Sequence, residues 1–243
     1  MERLSDLWGK FSLSESEGSR YQVQDELGGE EYFIAARFFT GRTISVEAIA
    51  RTFKLVWHTK KGFEVRDMGN HRVMFVFINE EDVVRVMQGE PWSFDKHLVA
   101  LKRVEKNTSI QNVIFDRMSF WIQVHNISIR SASMDMVKEI VSLAGEVVED
   151  VVDEGQQDKY NFMRIRVTID LTKPLCRGRR ITTAKGVDGW VSFRCERLPI
   201  MCYGCGMLTH NDRDCTSGSR SRGPQSVGDK QFGSWLCASI PTF

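Results

Sequence analysis

The sequence contains no apolar run approaching the roughly 18 residues that a membrane-spanning helix needs. Residues 1–17 carry no basic stretch leading into an apolar core, so no secretory leader is expected. Net charge is nearly absent too: 33 Lys and Arg against 32 Asp and Glu leave +1, which excludes a global field that would draw the chain onto nucleic acid or an anionic membrane. Any such attraction must be local. No P-loop, nucleophile elbow or H-E-x-x-H motif occurs, and no pair of carboxylates is singled out by its spacing. His58, His71, His97 and His125 are scattered through strand-like and turn-like segments. A non-catalytic chain with no small-molecule substrate and no membrane partner is expected. What the sequence does have is an ordinary globular balance, 42% apolar and 27% charged over 243 residues, enough to bury a sizeable core.

From Tyr32 onward hydrophobic periodicity organises the chain. Tyr32 to Phe39 reads as a strand broken at Gly41. Ser45 is a candidate N-cap, and Val46, Ile49, Ala50 and Phe53 predict an amphipathic helix of about two turns ending before Trp57. Phe63–Arg66 and Val73–Ile78 are apolar runs joined by the turn cluster Asp67-Met68-Gly69-Asn70, a hairpin signature. Asn79 offers a second cap before the helical face of Val83, Val84, Val86 and Met87, which Gly89 stops. Pro91-Trp92-Ser93-Phe94 then leads as a turn into the strand His97–Val104. The order strand, helix, strand, strand, helix, strand is the split βαβ pattern of ferredoxin-like and RNA-recognition-like domains.

A second unit follows. Phe120–His125 reads as a strand, and Met134, Val137, Ile140, Val141 and Ala144 as a helix ended by Gly145. Val147–Val152, Phe162–Leu171 and Trp190–Arg194 read as further strands, the second with one polar and one apolar face. Charge is polarised here: residues 139–158 hold seven acids and no Lys or Arg, whereas residues 159–197 hold ten basic residues against three acids. The fold class expected is therefore α+β: a flexible arm (1–31), a ferredoxin-like βαββαβ domain (32–106), a second, smaller α+β unit (107–199), a C-terminal CCHC zinc knuckle (200–217) and a flexible tail (218–243).

The knuckle rests on the cysteines. Of Cys176, Cys195, Cys202, Cys205, Cys215 and Cys237, three crowd together with His210 in the pattern C-x2-C-x4-H-x4-C, the spacing of a retroviral-type zinc knuckle. Tetrahedral Zn²⁺ takes four nitrogen or sulfur ligands, and a closed set leaves no open position for water or substrate. One structural zinc held by Cys202, Cys205, His210 and Cys215 is expected, with a redox C-x-x-C pair as the competing reading. Gly204 and Gly206 suit a metal-bound turn, Tyr203 and Met207 read as exposed groups on which bases stack, and Arg213 as a cation for phosphate. Cys176, Cys195 and Cys237 read as ordinary core or surface thiols.

Trp57, Val65-Arg66-Asp67-Met68-Gly69, Pro91-Trp92-Ser93-Phe94-Asp95 and Leu98-Val99-Ala100-Leu101-Lys102-Arg103 resemble the plant domain of unknown function found in the gag-like region of LINE-type, non-LTR retrotransposon proteins. In that family a zinc knuckle follows. Phe120–His125, Lys173-Pro174-Leu175, Arg177-Gly178 and Glu196-Arg197-Leu198-Pro199 resemble its linking segment, and Phe232-Gly233-Ser234-Trp235-Leu236 a short aromatic motif behind the knuckle. The resemblance covers about 200 residues. It implies a retrotransposon-derived, nucleic-acid-binding protein located inside the cell, in the nucleus in preference to the cytoplasm. One departure is Thr209, where such knuckles carry Gly, which implies reduced metal affinity. No endonuclease or reverse-transcriptase region precedes Phe243, so a truncated or isolated copy is expected.

Two surfaces are left open by the residues themselves. Val73, Phe75 and Phe77 share a face of the strand that would stack bases in an RNA-recognition sheet, but the glycine and aromatic signature of that motif is missing, and core packing competes. Arg177, Arg179, Arg180 and Lys185 form a basic cluster that reads either as a phosphate contact or as a solvated loop paired with the acidic stretch. Partners follow accordingly: single-stranded RNA or DNA, or, in the alternative, a second copy in a gag-like assembly where zinc is only structural.

Overall fold

The computed structural model describes residues 30–127, 133–148, 162–182, 186–216 and 231–239. Among them the fold is α+β, mostly sheet with few helices. The first part runs β1 (Tyr32–Phe38), α1 (Val46–Trp57), β2 (Phe63–Asp67), β3 (Arg72–Phe77), α2 (Glu80–Gln88), β4 (Trp92–Phe94) and β5 (His97–Val104). These strands form a five-stranded sheet in the order β2-β3-β1-β5-β4, with β1 antiparallel to both β3 and β5. The segment read as a turn, Trp92–Phe94, pairs with His97–Val99 as an additional edge strand.

Local chemistry sets the element ends. Ser45 Oγ accepts from the Ala48 N–H and Asn79 Oδ1 from the Glu81 N–H, so both expected caps are made. Helix α1 runs through Trp57 instead of stopping short of it, because Ile49, Phe53 and Trp57 recur on one buried stripe and His58 closes the helix in the left-handed region at φ 47°. Gly89 ends α2 for a different reason from the one glycine usually supplies. Its φ is −74°, but a Cβ there would lie 2.4 Å from the Trp92 ring, whose Nε1 donates to the Val86 carbonyl at 2.8 Å.

Both faces of this first sheet are buried. Ile34, Ala36, Val73, Phe75, Phe77, Val99 and Leu101 pack with Ile49, Phe53 and Trp57 of α1 and Val83 and Val86 of α2. The other face, with Phe33, Ala35, Met74, Val76, Leu98 and Ala100, joins a continuous cluster with the second half of the chain. Val73, Phe75 and Phe77 are wholly buried, so core packing is their role and they present no ring to a base.

The second half comprises β6 (Arg117–His125), α3 (Met134–Val141), β7 (Glu146–Val147), β8 (Phe162–Asp170), β9 (Gly178–Thr182), β10 (Asp188–Glu196) and β11 (Cys237–Ala238). Its six-stranded sheet is ordered β11-β10-β6-β8-β7, with β9 also on β10. Because β6 takes one edge of β10, β9 and β11 share the other, β9 along its first half and the parallel β11 along its end. Met118, Phe120, Ile122, Met163, Ile165, Val167, Val191 and Phe193 face the shared core together with Val137, Ile140 and Val141 of α3. Gly145 lets α3 come down onto the sheet, since a Cβ would meet the Thr168 carbonyl oxygen at 2.2 Å. The strand expected over Val147–Val152 is described only as far as Val148, and residues 1–29 of the expected arm lie outside the described residues. The tail, expected to be flexible apart from the aromatic patch at Phe232 and Trp235, is described over 231–239, where Phe232 and Leu236 are core residues and β11 is part of the sheet.

One buried carboxyl sits where the halves meet. Glu90 is 6% exposed, accepts from the Ser119 N–H at 3.3 Å, and has Arg166 nearby, while Arg197 clasps the Gly89 and Glu90 carbonyls and lies over Trp92. Burial pushes Glu90 from 4.5 up to about 7. The folded chain therefore holds a proton that the unfolded chain releases, and this group's contribution to stability is fullest below the unfolded value and declines as pH rises through the folded one. Glu90→Gln is expected to match the parent in urea unfolding at pH 4 and to exceed it at pH 8 by about 2–3 kcal/mol.

Candidate metal centre

Strand β10 ends at Glu196, and the chain then turns through Arg197, at φ 50°, into the cysteine-rich segment. The segment is fixed before it begins, because the Ile200 N–H donates to the Lys96 carbonyl at 2.8 Å in the turn between β4 and β5. It is fixed again inside, where the Leu175 N–H donates to the Gly206 carbonyl at 2.8 Å. Met201 and Leu208 are buried in the main core on either side of the first two cysteines. The knuckle is thus docked onto the protein body and not strung from a linker.

Within it the backbone makes a tight loop. The Gly206 N–H donates to the Cys202 carbonyl at 2.8 Å and the Cys202 N–H to the Met207 carbonyl at 2.9 Å. Asp212 Oδ1 accepts from the N–H groups of Tyr203 and Gly204, and Asn211 Oδ1 caps a 3-10 turn over Asp212–Asp214 by accepting from Arg213 and Asp214. Nothing in the Cys/His spacing pointed to Asp212 or Asn211; an Asx residue ahead of a short turn was the available signal. Gly206 needs its freedom, with φ 79° and the Phe232 ring 2.4 Å from where a Cβ would stand. Thr209 keeps a negative φ, so the turn accepts its side chain without left-handed strain.

This loop brings the expected ligands together. The donor atoms of Cys202, Cys205, His210 and Cys215 all lie within 4.8 Å of one another, and Cys205 Sγ stands 3.3 Å from His210 Nε2. Four donors around one zinc are separated by about 3.5 Å in a tetrahedron, so the set fits a single ion. Cys202 and Cys215 are buried, whereas Cys205 and His210 are half-buried. Three sulfurs and one imidazole, all supplied by the chain, make a closed shell of the structural kind. In the absence of metal, burial pushes the Cys202 thiol up to about 12, so zinc binds by displacing protons. The remaining thiols are apart from this set: Cys195 is wholly buried and its pKa is also raised to about 12 by burial, Cys176 is half-buried and Cys237 exposed.

The expected nucleic-acid contacts are distributed differently from the sequence reading. Tyr203 and Met207 are half-buried, and Tyr203 packs against the main core because the docked knuckle turns it inward. Arg213 is exposed on the 3-10 turn beside the ligands. Residues 178–182 form a strand instead of a loop, and strand alternation divides the basic cluster. Arg177 donates to the Gln231 carbonyl and lies over the Phe232 ring, next to Gly206 of the knuckle. Arg179 donates to the Glu139 backbone carbonyl, not to a carboxylate. Arg180 points to the opposite face and is exposed, and Lys185 lies outside the described residues.

Gly206→Ala is expected to lower unfolding free energy by about 1–3 kcal/mol and to weaken zinc retention against a chelator. Zinc uptake is expected to release protons and to weaken as pH falls, which calorimetry in two buffers of different ionisation enthalpy would measure.

Comparison with known proteins gives two family matches along the chain. Residues 29–112 match the family described as Domain of unknown function (DUF4283). Among relatives, an uncharacterized protein of Arabidopsis thaliana is 24% identical over 134 residues, which is 55% of this chain and 42% of that protein. The chain thus spans less than half of that relative's length. Residues 169–217 match the family described as Zinc knuckle, a segment that takes in β9, β10 and all four ligands.

Proposed function

We propose that this chain is a zinc-dependent, non-catalytic protein that binds single-stranded nucleic acid, and that it derives from a retrotransposon. The observation that carries the reading is the closed Cys202, Cys205, His210, Cys215 set, with donor atoms within 4.8 Å, inside a segment that matches a zinc knuckle. CCHC knuckles generally bind nucleic acids, and a four-ligand shell has no vacant position from which zinc could activate water. Exposed Arg213, and Arg177 beside Gly206, supply cations next to the metal loop. Retrotransposon origin is supported by the pairing of the domain of unknown function with a downstream knuckle, in the order that the gag-like resemblance implies. The first sheet's order β2-β3-β1-β5, with two helices on one face, supports reading that domain as ferredoxin-like with β4 added at the edge. Among the described residues no helix is long and apolar enough to cross a membrane. A location inside the cell, with the nucleus preferred, goes with this reading.

The test is zinc content together with binding of a labelled single-stranded RNA at two salt concentrations, on the parent, Cys202→Ser and His210→Ala. The parent is expected to carry one zinc and to bind more weakly at higher salt, by a log-log slope of about −0.7 per phosphate contacted. Both variants are expected to lose metal and binding together. Zinc without binding to RNA or DNA would favour the assembly alternative, in which a second copy is the partner.

A further inference from the structure

The outward face of the second sheet is covered at Gln123, Arg166 and Glu196, but among the described residues its β9–β10 end, with Arg180, Trp190 and Arg194, is exposed. In β6, β8 and β10 the even and odd positions divide cleanly. Phe120, Ile122, Ile165, Val167, Val191 and Phe193 are buried inward, so Trp190, Ser192 and Arg194 share the outward face with His125, Phe162 and Arg164. Register places Ser192 opposite His125 and His125 opposite Phe162, one row across three strands. Arg180 of β9 stands directly opposite Trp190.

Two features make this end of the face a surface for flat rings. Trp190 is 43% exposed and its indole lies over Gly178, where a Cβ would come 2.8 Å from the ring and 2.1 Å from the Val191 carbonyl oxygen. Only glycine lets the indole lie down on the backbone, one side seated and the other outward. His125 and Phe162 meet with centroids 5.1 Å apart and ring planes tilted by 41°, and burial together with Arg194 lowers the imidazole pKa, so at neutral pH it is an uncharged ring.

The charges beside these rings suit an anion. Glu196 is buried and fully occupied, accepting two bonds from Arg164 at 2.9 Å and one from Gln123, so it does not repel from the surface. Arg164 is held flat over Trp121 at 3.7 Å. Arg180 and Arg194 are exposed and have no ion-pair partner among the described residues. Among the described residues, Glu146 with Arg117 and Asp170 with Lys173 occupy the opposite end of the sheet, while Asp188 shares the outward face one step from Trp190 and accepts from Thr182, leaving Arg180 and Arg194 as two cations against one acid there.

We propose that this face is a second nucleic-acid surface, on which bases of a single strand stack against Trp190 and the His125–Phe162 pair while its phosphates meet Arg180 and Arg194. Stacking rings with flanking cations is the chemistry by which sheets hold unpaired strands without reading sequence. The assignment rests on the nucleic-acid reading of the knuckle but uses none of its residues.

The experiment titrates the full, zinc-loaded chain with labelled oligo-U RNA across a salt series, using the parent, Trp190→Ala, Trp190→Phe, Arg180→Ala with Arg194→Ala, and Cys202→Ser. Zinc content and thermal midpoint are recorded for each. Trp190→Ala is expected to weaken binding about 5- to 100-fold with zinc content unchanged, and Trp190→Phe to restore most of it. The double arginine variant is expected to flatten the log-log salt slope by about 1.4, because two phosphates are no longer neutralised. If these variants bind as the parent does while Cys202→Ser fails to bind, the sheet surface is wrong and the knuckle reading stands. If the parent binds neither RNA nor DNA, both readings fall.

Discussion

Burial of both faces of the first sheet is the constraint on which the rest depends. A sheet of this size with helices on one side leaves the other either open to a ligand or covered by protein. Here Phe33, Met74, Val76 and Leu98 are covered by the second half of the chain, in one cluster that extends through the second sheet to Met201, Leu208 and Phe232. The surface that an RNA-recognition domain would use is thereby converted into an internal interface. On the proposed nucleic-acid reading, recognition falls to what lies farther along the chain, the knuckle and the outward face of the second sheet.

The same cluster explains why the knuckle is docked. Isolated metal loops this small have too little apolar area to fold without their ion. In this protein the loop also contributes Met201 and Leu208 to a core, accepts a backbone bond from Leu175 and is anchored at its entry by one to Lys96. Zinc and tertiary packing therefore stabilise the same segment. Phe232, well past the last ligand in sequence, closes the arrangement by filling the space that Gly206 leaves.

Much of this was legible in the sequence, for reasons that can be named. Cap chemistry at Ser45 and Asn79, the hairpin at Gly69 and the ligand spacing are local signals, and local signals survive folding. Alternation in Phe162–Asp170 announced a sheet with one buried face. What failed did so through long-range contacts. Trp57 belongs to its helix because Phe63 and Phe75 receive it. The basic run of Arg177, Arg179 and Arg180 hid a strand because Gly178 interrupts it and only Ile181 among its residues is apolar. Tyr203 turns inward because the knuckle has a wall to lean on. The two-residue β11 depends wholly on pairing with Cys195 and Glu196, far upstream, and no local window of sequence contains both partners.

The two backbone bonds that pin the knuckle, from Ile200 to Lys96 and from Leu175 to Gly206, also remove its tether. A knuckle on a flexible linker searches a volume and can meet a second site on a strand over many spacings, its local concentration set by linker length. A pinned knuckle searches nothing. On the proposed reading, a strand that touched both it and the outward sheet face would follow the contour between them, so the protein would measure the length and curvature of that strand, a ruler where a tethered knuckle would be a net.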